Sequence, residues 1–360
     1  MSHDPNFLQT LWFILIGVLW VGFFVLEGFD FGVGMLLRYV GRTNGEKRAV
    51  IHTIGPVWDG NEVWLLTAGG ATFAAFPVWY ASWFSGFYLA LFLVLAALII
   101  RGVSFEFWGK HDSPRWRAGW EWALAISSGA AALLFGVAWA DLLYGVPMTA
   151  THNVTASLLD LLHPYALLGG LVSLSLFASH GAQFLTLRTR GAIEQRAQQA
   201  TRGLSVTAAA LTVAFLVWTV ASQNHGGIKV AGLAVAILGA AAVIAVPLTR
   251  GVRAFALSAG AITLWITTIL VELFPLAIAD SSGRARGLFL DEASSSHYTL
   301  TVMSVVALIF VPVVLGYSAW AYWVFRGRLG GEDYGTPQAR ARGVLDRVAP
   351  ERPDAPGAAH

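Results

Sequence analysis

Long apolar stretches, each about the length that crosses a bilayer, recur along this chain of 360 residues and leave few folds open to it. Only 12% of the residues are charged and 56% are hydrophobic, whereas an ordinary soluble domain has ~25% charged residues. A compact water-soluble fold has too little interior to bury so much apolar surface. The composition therefore excludes a soluble globular protein and a disordered one, and it predicts an integral membrane protein. Because the sequence has no cysteine, thiolate metal sites and disulfides are also excluded.

The apolar stretches predict an all-α membrane protein with nine transmembrane helices. A bilayer core requires ~20 apolar residues per helix, and the sequence lacks the alternating pattern of a membrane β-barrel. The predicted spans are residues 8–26, 54–76, 78–100, 122–140, 164–185, 204–222, 230–248, 254–274 and 300–324. The first span is too long for a signal peptide and lacks a preceding basic segment, so we expect it to be retained.

Lysine and arginine are distributed unevenly among the connections, and this asymmetry predicts the orientation of the chain. The first, third, fifth and seventh connections, together with the C-terminal tail, hold 20 of the 23 basic residues. Cytoplasmic connections of membrane proteins carry such an excess. We therefore predict that the N-terminus lies outside and the C-terminus in the cytoplasm, as an odd number of spans also requires.

The nine spans are predicted to form two four-helix bundles and one peripheral helix. The expected units are residues 1–140 for the first bundle, 141–275 for the second, 276–326 for an outer loop with the ninth helix, and 327–360 for a disordered cytoplasmic tail rich in Arg, Pro, Ala and Gly. A short internal similarity favours this division. The sequence GFDF at residues 28–31 follows the first span, and GAQF at residues 181–184 ends the fifth.

Four carboxylates are predicted to cluster at the cytoplasmic ends of the first two spans. Glu27 and Asp30 are three residues apart, as are Asp59 and Glu62, so each pair shares one helix face. Asp59 lies about six residues inside its span, which corresponds to ~9 Å from the cytoplasmic end. An ionised carboxylate at the bilayer centre costs ~2.5–3.5 kcal/mol, so each of these acids requires a reason.

Three more residues complete the candidate site: Arg101 at the inner end of the third span, Glu106 just after it, and Trp58 beside Asp59. Crowded carboxylates in apolar surroundings repel one another unless some hold protons. The cluster therefore predicts a path for protons from the cytoplasm. An alternative interpretation is that these acids are interfacial groups that neutralise arginine or cap helix ends, and the spacing alone leaves both interpretations open.

Two histidines near helix ends are weaker candidates. His163 and His180 are each able to ligate heme, but a single histidine in such a place is more often a hydrogen-bonded interfacial residue. The sequence has no paired-histidine or Glu-x-x-His spacing, so we predict no metal site in this chain. Asp141 and Glu272, which lie near outer helix ends, are interpreted as interfacial.

Several motifs in the first third of the chain resemble those of a known family, subunit II of the cytochrome bd-type quinol oxidases. The similar segments are GFDFGVGM at residues 28–35, WDGNEVW at 58–64, AGGA at 68–71, FSGFY at 84–88 and RGVSFEF at 101–107. The later spans resemble the family in length, order and topology. The Arg- and Pro-rich tail lies outside the family's pattern.

The resemblance implies a subunit of a bacterial plasma-membrane terminal oxidase, a quinol:oxygen oxidoreductase of aerobic respiration. In that family a homologous subunit I carries hemes b and d, and it oxidises quinol and reduces dioxygen to water. Subunit II ligates no heme of its own and is expected to support subunit I and its proton supply. Asp59 is the expected proton-transfer residue, with Asp30 in the second signature motif and Glu27 nearby. The resemblance further implies a bound quinone, lipid contacts and additional small membrane subunits.

Two other classes of protein are kept as alternatives. A proton-coupled secondary transporter also uses carboxylates within its spans, but it holds them at the midplane between broken helices. A purely structural partner, binding lipid or quinone, would use the same acids as assembly ion pairs. Co-purification with a heme-bearing chain excludes the transporter, and Asp59→Asn in that complex separates a proton path from a scaffold.

Overall fold

The computed structural model describes residues 3–221, 229–282 and 287–334, and in these residues the chain is almost entirely helical. The α-helices are α1 Phe7–Val40, α2 Asn44–Ile54, α3 Trp58–Ala75, α4 Pro77–Gly86, α5 Tyr88–Phe107, α6 Pro114–Tyr144, α7 Pro164–Arg188, α8 Ala192–Ala221, α9 Val230–Ala245, α10 Gly251–Leu273, α11 Leu290–Ala293 and α12 His297–Val324. A small antiparallel sheet pairs β1 Leu276–Ile278 with β2 Leu288–Phe289.

Eight helices in the described ranges are long and apolar enough to cross a membrane. They are α1, α5, α6, α7, α8, α9, α10 and α12, and they correspond to eight of the predicted spans. The second predicted span folds as α3, which has 18 residues but is less apolar because it contains Asp59, Asn61 and Glu62. The multi-pass helical class is thus confirmed, whereas the count of nine, the two bundles and the orientation stay predictions.

Helices α1 and α7 lie at the centre of the fold, and glycine lets them approach closely. A Cβ on Gly32 would lie 2.1 Å from the carbonyl oxygen of Phe177, and one on Gly181 would lie 2.5 Å from the Cα of Gly32. Such glycine contacts allow backbone packing that larger residues prevent. The two similar segments found in the sequence, residues 28–31 and 181–184, therefore lie beside the same helix crossing.

Two predicted span boundaries were wrong. Helix α1 does not end at residue 26 but continues to Val40, because buried residues such as Phe29, Val33 and Leu37 extend its packed face. The predicted third span is interrupted at Phe87, where the backbone leaves helical geometry between α4 and α5.

The beginning of the predicted disordered tail is folded against the helix ends. The backbone N–H of Leu329 donates to the carbonyl of Arg188 (2.8 Å). The hydroxyl oxygen of Tyr334 lies 2.9 Å from Nδ1 of His52 in α2. Residues 327–334 are thus ordered, which corrects the prediction for this segment, while residues 335–360 lie outside the described ranges.

Helix α2 is held at this end of the fold by an ion pair. Glu46, in its first turn, pairs with Arg196 of α8. Although burial opposes the effect, hydrogen bonds from Arg196 and from the backbone N–H groups of Arg42 and Thr43 lower the pKa of Glu46 to about 2. This carboxylate is therefore a fixed negative charge at neutral pH.

Candidate proton-transfer site

Glu27 and Asp30 lie one turn apart in α1, and neither side chain is accessible to solvent. Because α1 continues to Val40, both acids lie within the helix rather than at its end. At 1.5 Å per residue, Glu27 is ~20 Å from the end of α1. The two acids therefore lie farther from the end of their helix than the sequence predicted.

Arg101 of α5 lies between Glu27 and Glu62 and forms ion pairs with both. Its Nη1 is 2.8 Å from Oε1 of Glu62 and also contacts Oε1 of Glu27. The guanidinium carbon lies 4.9 Å from the ring centre of Phe31 and 5.2 Å from that of Phe105. Because Arg101 is completely buried, it is a positive charge fixed inside the protein that joins α1, α3 and α5.

Asp30 continues this network through α3 to the last helix. The side-chain amide of Asn61 donates to Oδ2 of Asp30 (2.7 Å), and the hydroxyl of Tyr322 donates to the Asn61 carbonyl oxygen (2.7 Å). Asn61 is thus oriented from both sides, and α12 is tied to the site. At the other end of α12, the indole N–H of Trp12 donates to the carbonyl of Leu300 (3.1 Å).

The remaining predicted residues differ in their relation to this cluster. Asp59 is exposed in the first turn of α3, where its carboxylate accepts the N–H of Gly60 (2.8 Å), and it interacts electrostatically with Asp30 and Glu62. Trp58 packs on α5, with its ring centre 5.1 Å from that of Phe105.

Glu106 is the predicted residue that the fold does not bring to the cluster. Its side chain is exposed, and no hydrogen bond or ion pair links it to any other residue in the described ranges. It lies five positions after Arg101 on α5, so the two side chains point in different directions around the helix.

The acidic residues of the cluster outnumber its one base. Glu27 and Glu62 contact the guanidinium of Arg101, and Asp30 lies within electrostatic range of it. Oδ1 of Asp30, Oε2 of Glu27 and Nη2 of Arg101 have no hydrogen-bond partner among the described residues, although more than ~90% of buried polar groups in proteins are paired. A cluster of this kind is suited to binding and passing on protons, because its charge is not balanced by its own residues.

Two residues of the network, Asn61 and Tyr322, were missed by the sequence reasoning. Asn61 stands between Asp59 and Glu62 in the motif at residues 58–64, so its position was a signal that could have been used. Tyr322 lies in a helix that is exposed along most of its length, and nothing in its local sequence indicates a contact 261 residues away.

His180 of α7 lies near the central crossing, in contact with α1 and α10. One ring nitrogen lies 2.6 Å from the hydroxyl of Ser258, and the other lies 3.2 Å from the carbonyl of Val25. Its ring stacks on that of Phe255 with a centroid distance of 4.5 Å. Since both ring nitrogens face groups of this chain, the site does not fit heme ligation.

His163 pairs with a buried acid at the opposite end of the fold. Its Nε2 lies 3.0 Å from Oδ1 of Asp141, and its Nδ1 accepts the N–H of Ala166 at the start of α7 (3.4 Å). Both residues line a cavity of about 490 Å³. Asp141, which the sequence analysis interprets as interfacial, is buried and pairs with His163. No group of three potential metal-binding side chains occurs in the residues that the structure describes.

The helical fold defines a multi-pass membrane protein with ionisable residues buried among its helices, and comparisons with known proteins identify its family. The profile of the family "Cytochrome bd terminal oxidase subunit II" matches residues 8–325. The chain therefore belongs to this family, as the motifs predicted, and is a multi-pass protein of the bacterial plasma membrane.

Individual relatives agree over nearly their whole length. The chain is 40% identical over 332 residues to cytochrome bd ubiquinol oxidase subunit 2 of Bacillus subtilis (strain 168), covering 91% of this chain and 98% of that protein. It is 37% identical over 372 residues to cytochrome bd-I ubiquinol oxidase subunit 2 of Escherichia coli (strain K12), covering 92% and 97%. Its fold is similar to a chain in the structure of the bd oxidase from Geobacillus thermodenitrificans, with a TM-score of 0.73 at 14% identity over 89% of this chain and 99% of that one.

Proposed function

We propose that this subunit supplies protons from the cytoplasm to a heme-bearing subunit I, which oxidises quinol and reduces dioxygen to water. The observation that carries the proposal is the cluster of Glu27, Asp30 and Glu62 near the buried guanidinium of Arg101, with Glu27 and Asp30 inaccessible to solvent. Forming water from dioxygen consumes protons, and the hydrocarbon core of a bilayer provides none. A chain of ionisable groups inside the membrane meets that need.

The proposed order of groups follows from their exposure. Asp59 is exposed and receives a proton, Glu62 is half-buried, and Glu27 and Asp30 are fully buried. Asp59 and Glu62 are one helical turn apart, as are Asp30 and Glu27. The unpartnered oxygens of the two buried acids are able to accept hydrogen bonds from water, which relays protons between carboxylates.

Arg101 sets the charge of the path. One buried positive charge stabilises only part of the negative charge that three ionised carboxylates would carry, and an unpaired buried charge is costly. Uptake of a proton by the cluster therefore reduces its charge imbalance, and release of that proton toward the partner restores it. Phe105 lies against the guanidinium of Arg101, and Trp58 packs on Phe105.

The proposal includes the arrangement of the whole subunit. We infer nine transmembrane helices, the eight long apolar ones and α3, with the N-terminus outside and the C-terminus in the cytoplasm. We also infer a heterodimer with subunit I, which holds hemes b and d, and a quinone bound to the apolar, aromatic surface. The polar residues that make α3 less apolar than the other helices are those of the proposed proton path, which explains why this span differs in hydropathy.

The test is oxygen consumption by the assembled complex with Asp59→Asn, Asp30→Asn or Glu27→Gln. Each substitution keeps the shape of the side chain but replaces the carboxyl group, which binds and releases a proton, with an amide that does not titrate. Because positioned proton transfer contributes ~10²–10⁴-fold to rates, we expect turnover per heme to fall at least ~10-fold for the buried acids. Heme content and subunit ratio should remain those of the native complex.

Glu106→Gln is the matched control, since Glu106 is an acid of the same region outside the cluster. Its turnover should equal that of the native complex. If all three variants of the proposed path assemble and turn over normally, the acids are assembly contacts and the subunit is a structural partner. Isolation of the chain without a heme-bearing partner, with proton-driven solute uptake, would instead support a secondary transporter.

A further inference from the structure

A second cavity lies at the end of the fold where α7 and α9 end and α8 and α10 begin. It has a volume of about 480 Å³, and its walls include Gln183, Arg202, Val206, Leu248 and Arg250. This end also carries the ordered start of the tail, and the distribution of basic residues predicts that it faces the cytoplasm. No residue of the proposed proton path lines the cavity.

The cavity carries unbalanced positive charge. The side chains of Arg202 and Arg250 are exposed. Neither side chain forms an ion pair or a hydrogen bond with another residue in the described part of the chain. The cavity also contains a carboxylate, Glu194, but Oε2 of Glu194 lies 2.6 Å from Nη2 of Arg328, and Oε1 accepts the amide of Gln198 (3.1 Å). The two arginines are therefore free to bind an anion.

Two further donors face the same space. Gln183 is only 2% exposed, and its Nε2 has no hydrogen-bond partner. Helix α10 begins at Gly251, where φ is +61°, and no side chain caps its first turn. The N–H groups at a helix start attract anions. A buried amide without a partner is unusual and independently indicates a missing hydrogen-bond acceptor.

One side of the cavity is lined by exposed apolar side chains. Val206 of α8 is 53% exposed and Leu248, after α9, is 81% exposed. Both side chains line the cavity. The site therefore combines anion-binding donors at a helix end with an exposed apolar wall, a pattern that suits a phospholipid better than a soluble anion.

We propose that this cavity binds the headgroup of an anionic phospholipid. Its phosphate lies between Arg202 and Arg250, receives hydrogen bonds from the start of α10 and from Gln183, and its acyl chains follow Val206 and Leu248. Arginine binds phosphate strongly because its planar group donates two parallel hydrogen bonds. The lipid would join the first half of α8 to the connection between α9 and α10.

The test is the affinity of the delipidated oxidase complex for dioleoyl phosphatidylglycerol, measured by native mass spectrometry. We expect saturable binding, weakened about tenfold by either Arg202→Gln or Arg250→Gln and by several-fold with Gln183→Met. Arg253→Gln is the matched control, because Arg253 is an exposed arginine of α10 that does not line the cavity. Its affinity should equal that of the native complex.

Three outcomes overturn the proposal. Equal affinity of the native complex and of the Arg202→Gln/Arg250→Gln double variant removes the site. Equal weakening by Arg253→Gln reduces the effect to general attraction between charges. Displacement of the lipid by millimolar inorganic phosphate identifies a site for a free anion rather than for a lipid. Because turnover is not the readout, failure of this proposal is distinguishable from failure of the proton path.

Discussion

Glu121 and the group formed by Glu27, Asp30 and Glu62 are all acids beside basic residues, but their surroundings differ. Glu121, near the start of α6, is 1% exposed and accepts hydrogen bonds from Arg38 (2.7 Å), Lys47 (2.9 Å) and the indole of Trp108 (3.2 Å). Two cations and one neutral donor thus serve a single carboxylate.

The deeper group has the opposite balance. Two carboxylates, Glu27 and Glu62, share the guanidinium of Arg101, and a third, Asp30, lies nearby without an ion pair of its own among the described residues. Oxygens of both Glu27 and Asp30 have no hydrogen-bond partner in the described part of the chain. Burial alone therefore does not indicate the role of an acid. A fully paired carboxylate holds helices together, whereas a carboxylate with unpaired oxygens and excess negative charge around it retains the capacity to exchange a proton.

The largest effect is expected for Arg101→Met, which removes the one cation from the deep group. Loss of one partner of a buried ion pair destabilises a protein by ~3–5 kcal/mol, so the yield of assembled complex should fall strongly. The measurement is the amount of heme-containing complex in membranes. The double variant Arg101→Met/Glu27→Gln should regain part of that yield, and a double variant no better than the single one would contradict the charge balance described above.

Glu121→Gln should have the next largest effect, on stability and not on rate. The amide leaves Arg38 and Lys47 without a carboxylate, and hydrogen bonds to charged groups contribute ~1.5–3 kcal/mol. We expect a lower melting temperature of the purified complex, with turnover per heme unchanged. A loss of turnover as large as that of Asp30→Asn, in a complex that is fully assembled, would remove the distinction between the two groups of acids.

Much of this comparison could be predicted from the sequence. The motifs at residues 28–35 and 58–64 gave the family, and helical spacing brought Glu27 to Asp30 and Asp59 to Glu62. Arg101 was expected near them, and it pairs with Glu27 and Glu62. The pairing of Glu121 could not be predicted, because it depends on α1 continuing to Val40, and the end of a helix with a long apolar face is poorly marked by its sequence.

Local pattern also failed where the contact joins distant segments. Asn61 receives the hydroxyl of Tyr322 only because α12 packs beside α3, and the folded start of the tail depends on contacts with α2 and α7. The composition of residues 327–334 favours disorder, but Arg190 pairs with Glu332 (2.7 Å). Such ion pairs between segments far apart in the chain become visible only when the fold is known.

The smallest effect is expected for Tyr322→Phe, because Tyr322 contacts Asp30 only through Asn61. The substitution removes one hydrogen bond to Asn61 and leaves the ring in place, so the cost is ~0.5–1.5 kcal/mol. Asn61 then orients Asp30 less strictly, and oxygen consumption should fall about two- to threefold. The control is Tyr317→Phe, because Tyr317 is an exposed tyrosine of the same helix without a hydrogen bond to the cluster. A larger loss in the control than in Tyr322→Phe would contradict the role of the Asn61 contact.

Proton uptake from the cytoplasmic side is the most direct test of the central claim. The assembled complex is reconstituted in vesicles, and the rate of proton uptake after oxygen is added is followed with a pH indicator for the native chain, Asp30→Asn and Glu121→Gln. The account predicts uptake slowed at least ~10-fold in Asp30→Asn and native uptake in Glu121→Gln. Native uptake in Asp30→Asn, with oxygen reduction intact, would show that protons take another route.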